Sequence, residues 1–333
     1  MSRGSVQASR RRVLAGAGAA ALAWPAVAQT RLPSDPADWP VIDPAVLDLL
    51  PNQMTRMAVE VLINRRGPYH FVVDTGANRT SISAALAADL RLPSTPDVIV
   101  HGVTSAQLTP TVRIDDLVVG GARFRNLNAP LFPRGRMGAD GLLGVDVLRD
   151  FRVNFELSRS RLEITRSSHG ILLGAPGSRL RRNMGAIRGR QRFGQLTVID
   201  IWVDDVRVIA FVDSGSQYTI GNLALFEAIG EHRPRLRERG LSVPIIGVTG
   251  QTNRGEVAVA QTLRLGQSVL LDTPVIFADL HAFDVWALSR RPSLLLGADV
   301  IGRLSHVTLD FGLGELEFGE VTQLRPVRDG GPG

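Results

Sequence analysis

Two short stretches of the chain end an apolar run with an acidic residue, a small hydroxyl residue and a glycine. The first reads Phe-Val-Val-Asp-Thr-Gly over residues 71–76, and the second reads Ala-Phe-Val-Asp-Ser-Gly over residues 210–215. Each pattern predicts a carboxylate on a tight turn at the end of a buried strand. Two carboxyls that face each other retain a shared proton, and such a pair can activate a water molecule. The repeated phrase therefore predicts acid–base chemistry by Asp74 and Asp213.

The two copies also agree outside the phrase. Thr80 and Thr219 each lie six residues after their Asp, and the carboxamides Asn78 and Gln217 each lie four residues after it. A single copy would be interpreted as a strand-end turn in which Asp accepts hydrogen bonds from its own backbone. The agreement of the flanking residues favours a duplicated site.

The elements around each Asp repeat as well. Alternating apolar residues predict a β-hairpin whose second strand ends at the Asp, and a short helix is predicted after it. In the first copy the predicted strands are 57–63 and 69–73, and the predicted helix is 82–90. In the second copy the predicted strands are 196–203 and 206–212, and the predicted helix is 223–229, with Gly230 as its stop.

Further downstream, three more features recur in the same order. They are a glycine turn between β-branched residues (Gly102 and Gly247), a Leu-Leu-Gly motif (residues 142–144 and 295–297) and a closing hairpin (152–164 and 306–318). Repeated order of this kind indicates an internal duplication. Asp146 and Asp299 each lie two residues after the glycine of a Leu-Leu-Gly motif. We expect a structural role for them, since Asp commonly caps the first turn of a following helix; the alternative is that they belong to the site.

The chain is therefore predicted to be mostly β, with two related β-barrel-like lobes and a cleft between them. The predicted segments are an export signal at 1–28, a lead-in segment at 29–55, an N-terminal lobe at 56–165, an Arg- and Gly-rich linker at 166–194, a C-terminal lobe at 195–322 and a tail at 323–333. The linker is expected to be solvated, and an anionic surface contact is the alternative.

Residues 1–28 have the pattern of an export signal. Three consecutive arginines precede an apolar run of small residues that ends in Ala26-Val27-Ala28, and the arginine pair resembles the twin-arginine type. A membrane anchor is the alternative, but the run is short and Pro25 interrupts it. We expect a bacterial protein that is exported to the periplasm or secreted, without a stable membrane span after cleavage.

Composition excludes several other classes. The chain has no Cys, which excludes disulfides and thiolate chemistry. It also contains no Lys, which excludes a P-loop. Removing residues 1–28 removes four Arg and no acidic residue, so the net charge falls from +6 to +2 and does not favour a nucleic-acid partner. The six His residues have no ligand-like spacing, so neither a metal nor a cofactor is predicted.

Residues 73–77 and 212–216 resemble the active-site motif of the aspartic proteases. The two Leu-Leu-Gly motifs resemble the apolar-apolar-Gly motif that packs beneath the active-site loop in that family. The short lobes and the Thr six residues after Asp are similar to the bacterial retropepsin-like branch, whereas two half-sites in one chain are similar to pepsins. The resemblance covers residues 56–165 and 195–320.

This resemblance implies an acid-protease fold with a catalytic dyad of Asp74 and Asp213 at the floor of the cleft. It implies that Thr75 and Ser214 brace the two loops by reciprocal hydrogen bonds. The amides of Gly76 and Gly215 would help to hold the dyad. The turns at Gly102 and Gly247 would be flaps over the substrate. Asn78 and Gln217 would contact the substrate backbone.

The expected function is that of an aspartic endopeptidase, which cleaves peptides or partly unfolded proteins in the cell envelope. Because both half-sites lie in one chain, the protein is expected to act as a monomer. The alternative is a peptide-binding protein that has the protease fold but no activity. A third arrangement would pair lobes from two chains.

Overall fold

A computed structural model describes residues 45–48, 50–51, 57–156, 159, 161–167, 186–192, 195–232 and 241–322. The first half of this region forms an eight-stranded sheet, which we call the first lobe. Its strands are β2 (Leu50–Pro51), β3 (Met57–Ile63), β4 (Arg66–Val73), β5 (Ser81–Ser83), β6 (Ser94–His101), β7 (Ala106–Val119), β8 (Ala122–Phe132) and β9 (Gly141–Leu143). Their order is β2-β3-β4-β9-β5-β8-β7-β6, and β3 also pairs with β7.

The second half repeats this topology, strand for strand, in what we call the second lobe. Its strands are β12 (Ala186–Arg192), β13 (Gln195–Val203), β14 (Val206–Val212), β15 (Ile220–Gly221), β16 (Leu241–Ile246), β17 (Thr252–Leu265), β18 (Ser268–Phe277) and β19 (Ser293–Leu296). Their order is β12-β13-β14-β19-β15-β18-β17-β16, with a further pairing of β13 with β17. The duplication of the sequence is therefore a duplication of the fold.

Short helices occupy equivalent places in the two lobes. They are α1 (Ala84–Asp89), α2 (Arg134–Met137) and α3 (Val145–Leu148) in the first lobe, and α4 (Leu223–His232), α5 (His281–Val285) and α6 (Ala298–Ile301) in the second. The helices α3 and α6 begin immediately after the Leu-Leu-Gly motifs, and the motifs' glycines are their N-cap residues.

A shared sheet joins the two lobes. It adds β1 (Ala45–Asp48), β10 (Phe151–Glu156), β11 (Arg161–Arg166), β20 (Val307–Asp310) and β21 (Glu315–Phe318). Its order is β1-β11-β10-β20-β21-β12, which continues through β12 into the second lobe. At its centre β10 and β20 run antiparallel, with Val153 opposite Leu309 and Phe155 opposite Val307. All four side chains are buried in one apolar cluster that includes residues of both lobes.

The hairpins that lead to the two Asp residues share an unusual turn. Asn64 and Arg65 in the first lobe have φ values of 48° and 65°, and Asp204 and Asp205 in the second have 44° and 65°. Two successive residues with positive φ are required by the tight turn that matches the twist of a β-hairpin, and Asn and Asp tolerate this conformation. Each turn directs its second strand, β4 or β14, back into the core.

The predicted fold class is confirmed, because the described chain consists mostly of strands in two large sheets. Two helix boundaries differ from the prediction by two residues or more. Residues 82 and 83 belong to β5, and the first helix starts only at Ala84, where Ser83 caps it. The second helix continues through Gly230 to His232. A helix of ten residues tolerates one interior glycine, at a cost of about 1 kcal/mol relative to Ala.

The segment predicted as a solvated linker contains a strand, because residues 186–192 form β12 and pair with β13 and β21. Backbone pairing with the shared sheet outweighs the arginine-rich composition there. Within the predicted lead-in segment, β1 pairs with β11 and β2 pairs with β3. The predicted export signal at 1–28 and the tail at 323–333 lie outside the described residues.

Candidate active site

Each Asp of the repeated phrase lies where a buried central strand ends. β4 runs parallel to β9, and the amide of Asp74 continues this ladder by donating to the Leu143 carbonyl at 2.9 Å. In the second lobe β14 runs parallel to β19, and the amide of Asp213 donates to the Leu296 carbonyl at 2.9 Å. The Leu-Leu-Gly motifs therefore form the strands next to the two Asp residues, and they fix where each active-site loop begins.

The residues after the two Asp residues connect the lobes by reciprocal hydrogen bonds. The Thr75 hydroxyl donates to the Val212 carbonyl at 2.7 Å and accepts from the Ser214 amide at 3.1 Å. The Ser214 hydroxyl donates to the Val73 carbonyl at 2.6 Å and accepts from the Thr75 amide at 3.2 Å. Both side chains are buried, so these bonds are shielded from water. They hold the two loops at a fixed separation.

The carboxyl groups of Asp74 and Asp213 lie next to each other across this brace. Asp74 Oδ1 accepts from the amides of Gly76 and Ala77 at 3.0 and 2.9 Å. Asp213 Oδ1 accepts from the amides of Gly215 and Ser216, both at 3.0 Å. Amides that converge on one oxygen favour the ionised carboxylate and prevent the side chain from rotating.

The two glycines of the repeated phrase lie against the opposite carboxyl group. A Cβ on Gly76 would collide with the carboxyl of Asp213, and a Cβ on Gly215 would collide with the carboxyl of Asp74. No other residue leaves this space open, because every other side chain begins with a Cβ. The glycines are therefore required by the closeness of the two carboxyls.

The environment of the pair shifts its protonation. Burial first, and then the neighbouring Asp74 carboxylate, raise the pKa of Asp213 well above its ordinary value. The amides of Ser216 and Gly215 oppose this shift without cancelling it. Asp213 is buried, whereas Asp74 is half-buried. Two adjacent carboxyls with these surroundings retain one proton at a pH where an isolated carboxyl would be ionised.

The glycine of each Leu-Leu-Gly motif, Gly144 or Gly297, lies directly beneath the loop that carries the Asp. A Cβ on Gly144 would meet the backbone of Arg79 and Thr80, and a Cβ on Gly297 would meet the backbone of Tyr218 and Thr219. The active-site loop therefore crosses directly over the Leu-Leu-Gly motif.

Asp146 and Asp299 lie in the first turns of α3 and α6 and have a structural role, but not that of the helix cap that we expected. The N-cap residues of α3 and α6 are Gly144 and Gly297, and neither has a side-chain cap. Both carboxylates accept hydrogen bonds from the Thr that lies six residues after the dyad Asp, namely Thr80 and Thr219, and Asp299 Oδ1 also accepts from the Val300 amide of its own helix at 2.8 Å. They reach across to the active-site loop because the helix begins directly beneath it.

The predicted flaps are two β-hairpins whose tips meet. Strands β6 and β7 form the first flap around Gly102, and β16 and β17 form the second around Gly247. The hydroxyls of Ser105 and Thr249 lie 2.9 Å apart, and the Thr104 hydroxyl donates to the Gln251 carbonyl at 3.1 Å. A Cβ at Gly102 would press on Thr249, and one at Gly247 would collide with Thr104. The two glycines thus permit the tips to pack together.

Each flap tip also docks on the opposite lobe. Val103 of the first flap packs against the second-lobe cluster that contains Phe283, and its carbonyl accepts from the Ala282 amide at 3.1 Å. Val248 of the second flap packs against the first-lobe cluster that contains Met137. Both flaps are therefore closed, and each is held by a short helix, α5 or α2, of the other lobe.

One flap contact could not be anticipated from the sequence. His101 Nδ1 lies 3.0 Å from His281 Nε2, and the two rings stack with centroids 5.3 Å apart. Partial burial and then the charge of His281 lower the pKa of His101. The two residues are far apart in the chain, and no local pattern predicts that they meet.

The remaining predicted site residues are less constrained. Asn78 is exposed beside the first loop. Gln217 is half-buried, and its Nε2 donates to the Tyr218 hydroxyl at 3.2 Å. Within the described ranges no cluster of three or more His, Asp or Glu side chains could hold a metal ion. In the same part of the chain no helix is long and apolar enough to span a membrane.

Comparison with known families agrees with the geometry of the first lobe. Residues 59–147, from β3 to α3, match the family model described as aspartyl protease. A comparison with curated proteins finds no match. The matched region contains Asp74, the first flap and the first Leu-Leu-Gly motif.

Proposed function

We propose that the protein is an aspartic endopeptidase in which Asp74 and Asp213 activate water to hydrolyse peptide bonds. The observation that carries this proposal is the contact of each loop glycine with the opposite carboxyl group. Two adjacent carboxylates repel each other, so placing them in contact costs stability. A function that requires the pair explains why the fold retains this unfavourable contact. The family match of the first lobe supports the same activity.

In this mechanism the pair carries one proton and one negative charge. The ionised carboxyl takes a proton from a water molecule, and the protonated carboxyl donates its proton to the carbonyl oxygen of the scissile bond. The water oxygen bonds to the carbonyl carbon, which gives a tetrahedral diol. The carboxyl that took the water proton then donates it to the nitrogen as the C–N bond breaks, and the other carboxyl recovers its proton from a hydroxyl of the diol. The two sides are built alike, so we assign the acid and base roles to the pair and not to either residue.

The flaps would enclose the substrate above the dyad. Peptide hydrolysis in the closed site would be shielded from bulk water, and entry of a chain requires the tips to separate. Their mutual contacts are few and polar, involving the hydroxyls of Ser105, Thr249 and Thr104. These tip contacts separate at low cost, because water satisfies the released hydroxyls. Opening must in addition withdraw Val103 and Val248 from the apolar clusters of the opposite lobes. We infer that Asn78 and Gln217, beside the two loops, contact the backbone of the bound peptide.

Digestion of a peptide library by the purified protein tests the proposal. Replacing Asp74→Asn or Asp213→Asn should lower cleavage by about 10²–10⁴-fold, because the pair then lacks either its acid or its base. Asp272→Asn is the matched control. Asp272 is exposed on β18 with a φ of 46°, a conformation that Asn adopts readily. This variant should cleave as the wild type does.

Two results would contradict the proposal. Cleavage that persists undiminished in both dyad variants would exclude the two carboxyls as catalysts. Peptide binding without turnover from acid to neutral pH, unaffected by either variant, would establish a binding protein with a protease fold.

We also propose that the protein acts in the bacterial cell envelope. The proposal rests on the arginine-led apolar segment at 1–28. A reporter fused to this segment should appear in the periplasmic fraction, and Arg11→Lys combined with Arg12→Lys should retain it in the cytoplasm if the route requires paired arginines. Cytoplasmic retention of the unmodified fusion would refute export.

A further inference from the structure

Each active-site loop is tied at its far end to a carboxylate that the proposed chemistry does not use. Asp146 Oδ1 accepts from both the amide and the hydroxyl of Thr80, each at 2.8 Å. In the second lobe the Asp299 carboxylate accepts from the Thr219 hydroxyl at 2.7 Å through Oδ1, and from the Thr219 amide at 3.1 Å through Oδ2. Thr80 and Thr219 are fully buried, so each depends on this carboxylate for its polar groups.

The threonine hydroxyl also bonds to the glycine at the end of the neighbouring Leu-Leu-Gly motif. Gly144 donates its amide to the Thr80 hydroxyl at 3.1 Å, and Gly297 donates to the Thr219 hydroxyl at 3.0 Å. An ionised carboxylate can only accept, so the hydroxyl donates its one proton to the carboxylate and accepts from the glycine amide through a lone pair. The direction of every bond in this link is therefore determined.

A second set of bonds connects the same segment to the dyad. The residue before Asp146, Val145, donates its amide to the Ala77 carbonyl at 2.8 Å, and the Ala77 amide donates to Asp74 Oδ1 at 2.9 Å. Ala298, before Asp299, donates to the Ser216 carbonyl at 2.8 Å, and the Ser216 amide donates to Asp213 Oδ1 at 3.0 Å. A shift of either helix start would therefore move an amide that holds a dyad carboxylate.

Burial of the Asp146 and Asp299 carboxylates costs solvation free energy. Partial burial raises the pKa of both Asp146 and Asp299, and the hydrogen bonds from Thr80 and Thr219 oppose the shift. Arg79 is the charged group that also lowers the pKa of Asp146. A carboxylate offers acceptors only, so it leaves the threonine no alternative orientation.

We propose that Asp146 and Asp299 are positioning residues, which hold the amides of the active-site loops on the dyad through Thr80 and Thr219. This inference rests on the proposed function. It separates these residues from helix capping, the role that their place in the sequence predicts, and it predicts an effect on catalysis beyond an effect on stability.

The test compares pH–rate profiles of peptide cleavage for the wild type, Asp146→Ala and Asp299→Ala. Each alanine variant should lower kcat about 10–100-fold, since small displacements of catalytic groups are costly, with a smaller change in KM. The acid limb of the kcat profile should move to higher pH. Amides that bond to a carboxylate lower its pKa, so a loosened loop leaves the dyad with a higher pKa.

Conservative variants separate positioning from folding. Asp146→Asn should restore most of the activity, because the amide oxygen can accept both bonds that Asp146 Oδ1 accepts. Asp299→Asn should restore less, because the Thr219 bonds use both oxygens of Asp299. If an alanine variant does not fold, Thr80→Val breaks the hydroxyl part of the same link, namely the bonds to Asp146 and from Gly144, while the amide of residue 80 still donates to Asp146. This variant should shift the acid limb in the same direction by a smaller amount.

Thr308→Val is the control for a merely structural effect. Thr308 is a buried residue of the shared sheet, and its hydroxyl donates to Asn154 Oδ1 at 2.9 Å. Its loss should lower thermal stability without moving the acid limb. An active wild type whose kcat and acid limb are unchanged in both alanine variants would refute the positioning role alone. A wild type that does not cleave any peptide would refute the proposed function and this inference with it.

Discussion

At the scale of single residues, the site depends on two glycines, Gly76 and Gly215, because they have no Cβ. Gly76 and Gly215 each border the carboxyl of the opposite loop, so the absence of a side chain on one lobe makes room for an acid on the other. The braces from Thr75 and Ser214 hold this arrangement from below. The two halves of the site are thus mutually dependent, although each looks complete in its own loop.

We predict that Gly76→Ala lowers the rate of peptide cleavage by about 10²-fold or more, because the added Cβ displaces the Asp213 carboxyl from its catalytic position. Steady-state kinetics of the purified variant measures this loss. Gly135→Ala is the matched control, since a Cβ at Gly135 meets no atom within 4 Å. Equal activity of the two alanine variants would contradict the role assigned to Gly76.

At the scale of elements, the flaps are held by unlike contacts. The first flap rests on α5 through the stacked pair of His101 and His281. The second flap carries Gly250, beside which the guanidinium of Arg136 on α2 lies. A contact between two imidazoles at hydrogen-bond distance requires that at least one ring is neutral, because two imidazolium ions offer only donors. Protonation therefore affects the two flaps differently.

We predict that mild acid loosens the first flap. The folded-state pKa of His101 is lowered, so its contribution to stability is present above the unfolded-state pKa of ~6.5 and is lost as pH falls through the folded-state value. Amide hydrogen exchange of residues 102–106 should accelerate between neutral and mildly acidic pH, after correction for intrinsic exchange. Exchange in β10 and β20 of the shared sheet serves as the internal reference, because the bonds between the flap tips do not involve these strands.

His101→Gln provides the control for this prediction, because it retains a polar side chain that does not titrate. Its first flap should exchange at the same corrected rate across that pH range. A pH dependence that survives in His101→Gln would assign the effect to another group.

At the scale of the whole molecule, one sheet binds the two lobes into a single body. β10 and β20 pair at its centre, and buried apolar side chains from both strands join one cluster. The site lies between lobes of the same chain, so its assembly needs no second copy.

We therefore predict that the specific activity is independent of protein concentration and that the protein elutes as a monomer in size-exclusion chromatography. A dimeric site would lose activity on dilution, because dissociation would separate the two Asp residues. A fall in specific activity on dilution, together with a shift in elution, would indicate pairing of lobes between chains.

Much of this molecule could be predicted from local patterns. The hairpins before Asp74 and Asp213 follow from alternation and turn residues, and the strand bounds differ from the prediction by only a few residues. The start of the first helix and the strand β12 were not predicted, because pairing with distant strands determined both. Local propensity decides an element only where no such partner competes for its backbone.

Local sequence patterns suffice to predict that the chain contains two copies of one unit and that each copy ends a buried strand with Asp. Periodicity and turn chemistry are local properties, so a single chain suffices to read them. Three sets of contacts are seen only in the folded molecule. Asp146 and Asp299 bind the loop threonines, His101 contacts His281, and each flap docks on the opposite lobe. These contacts join residues far apart in the chain, and their geometry arises only when the two copies pack against each other.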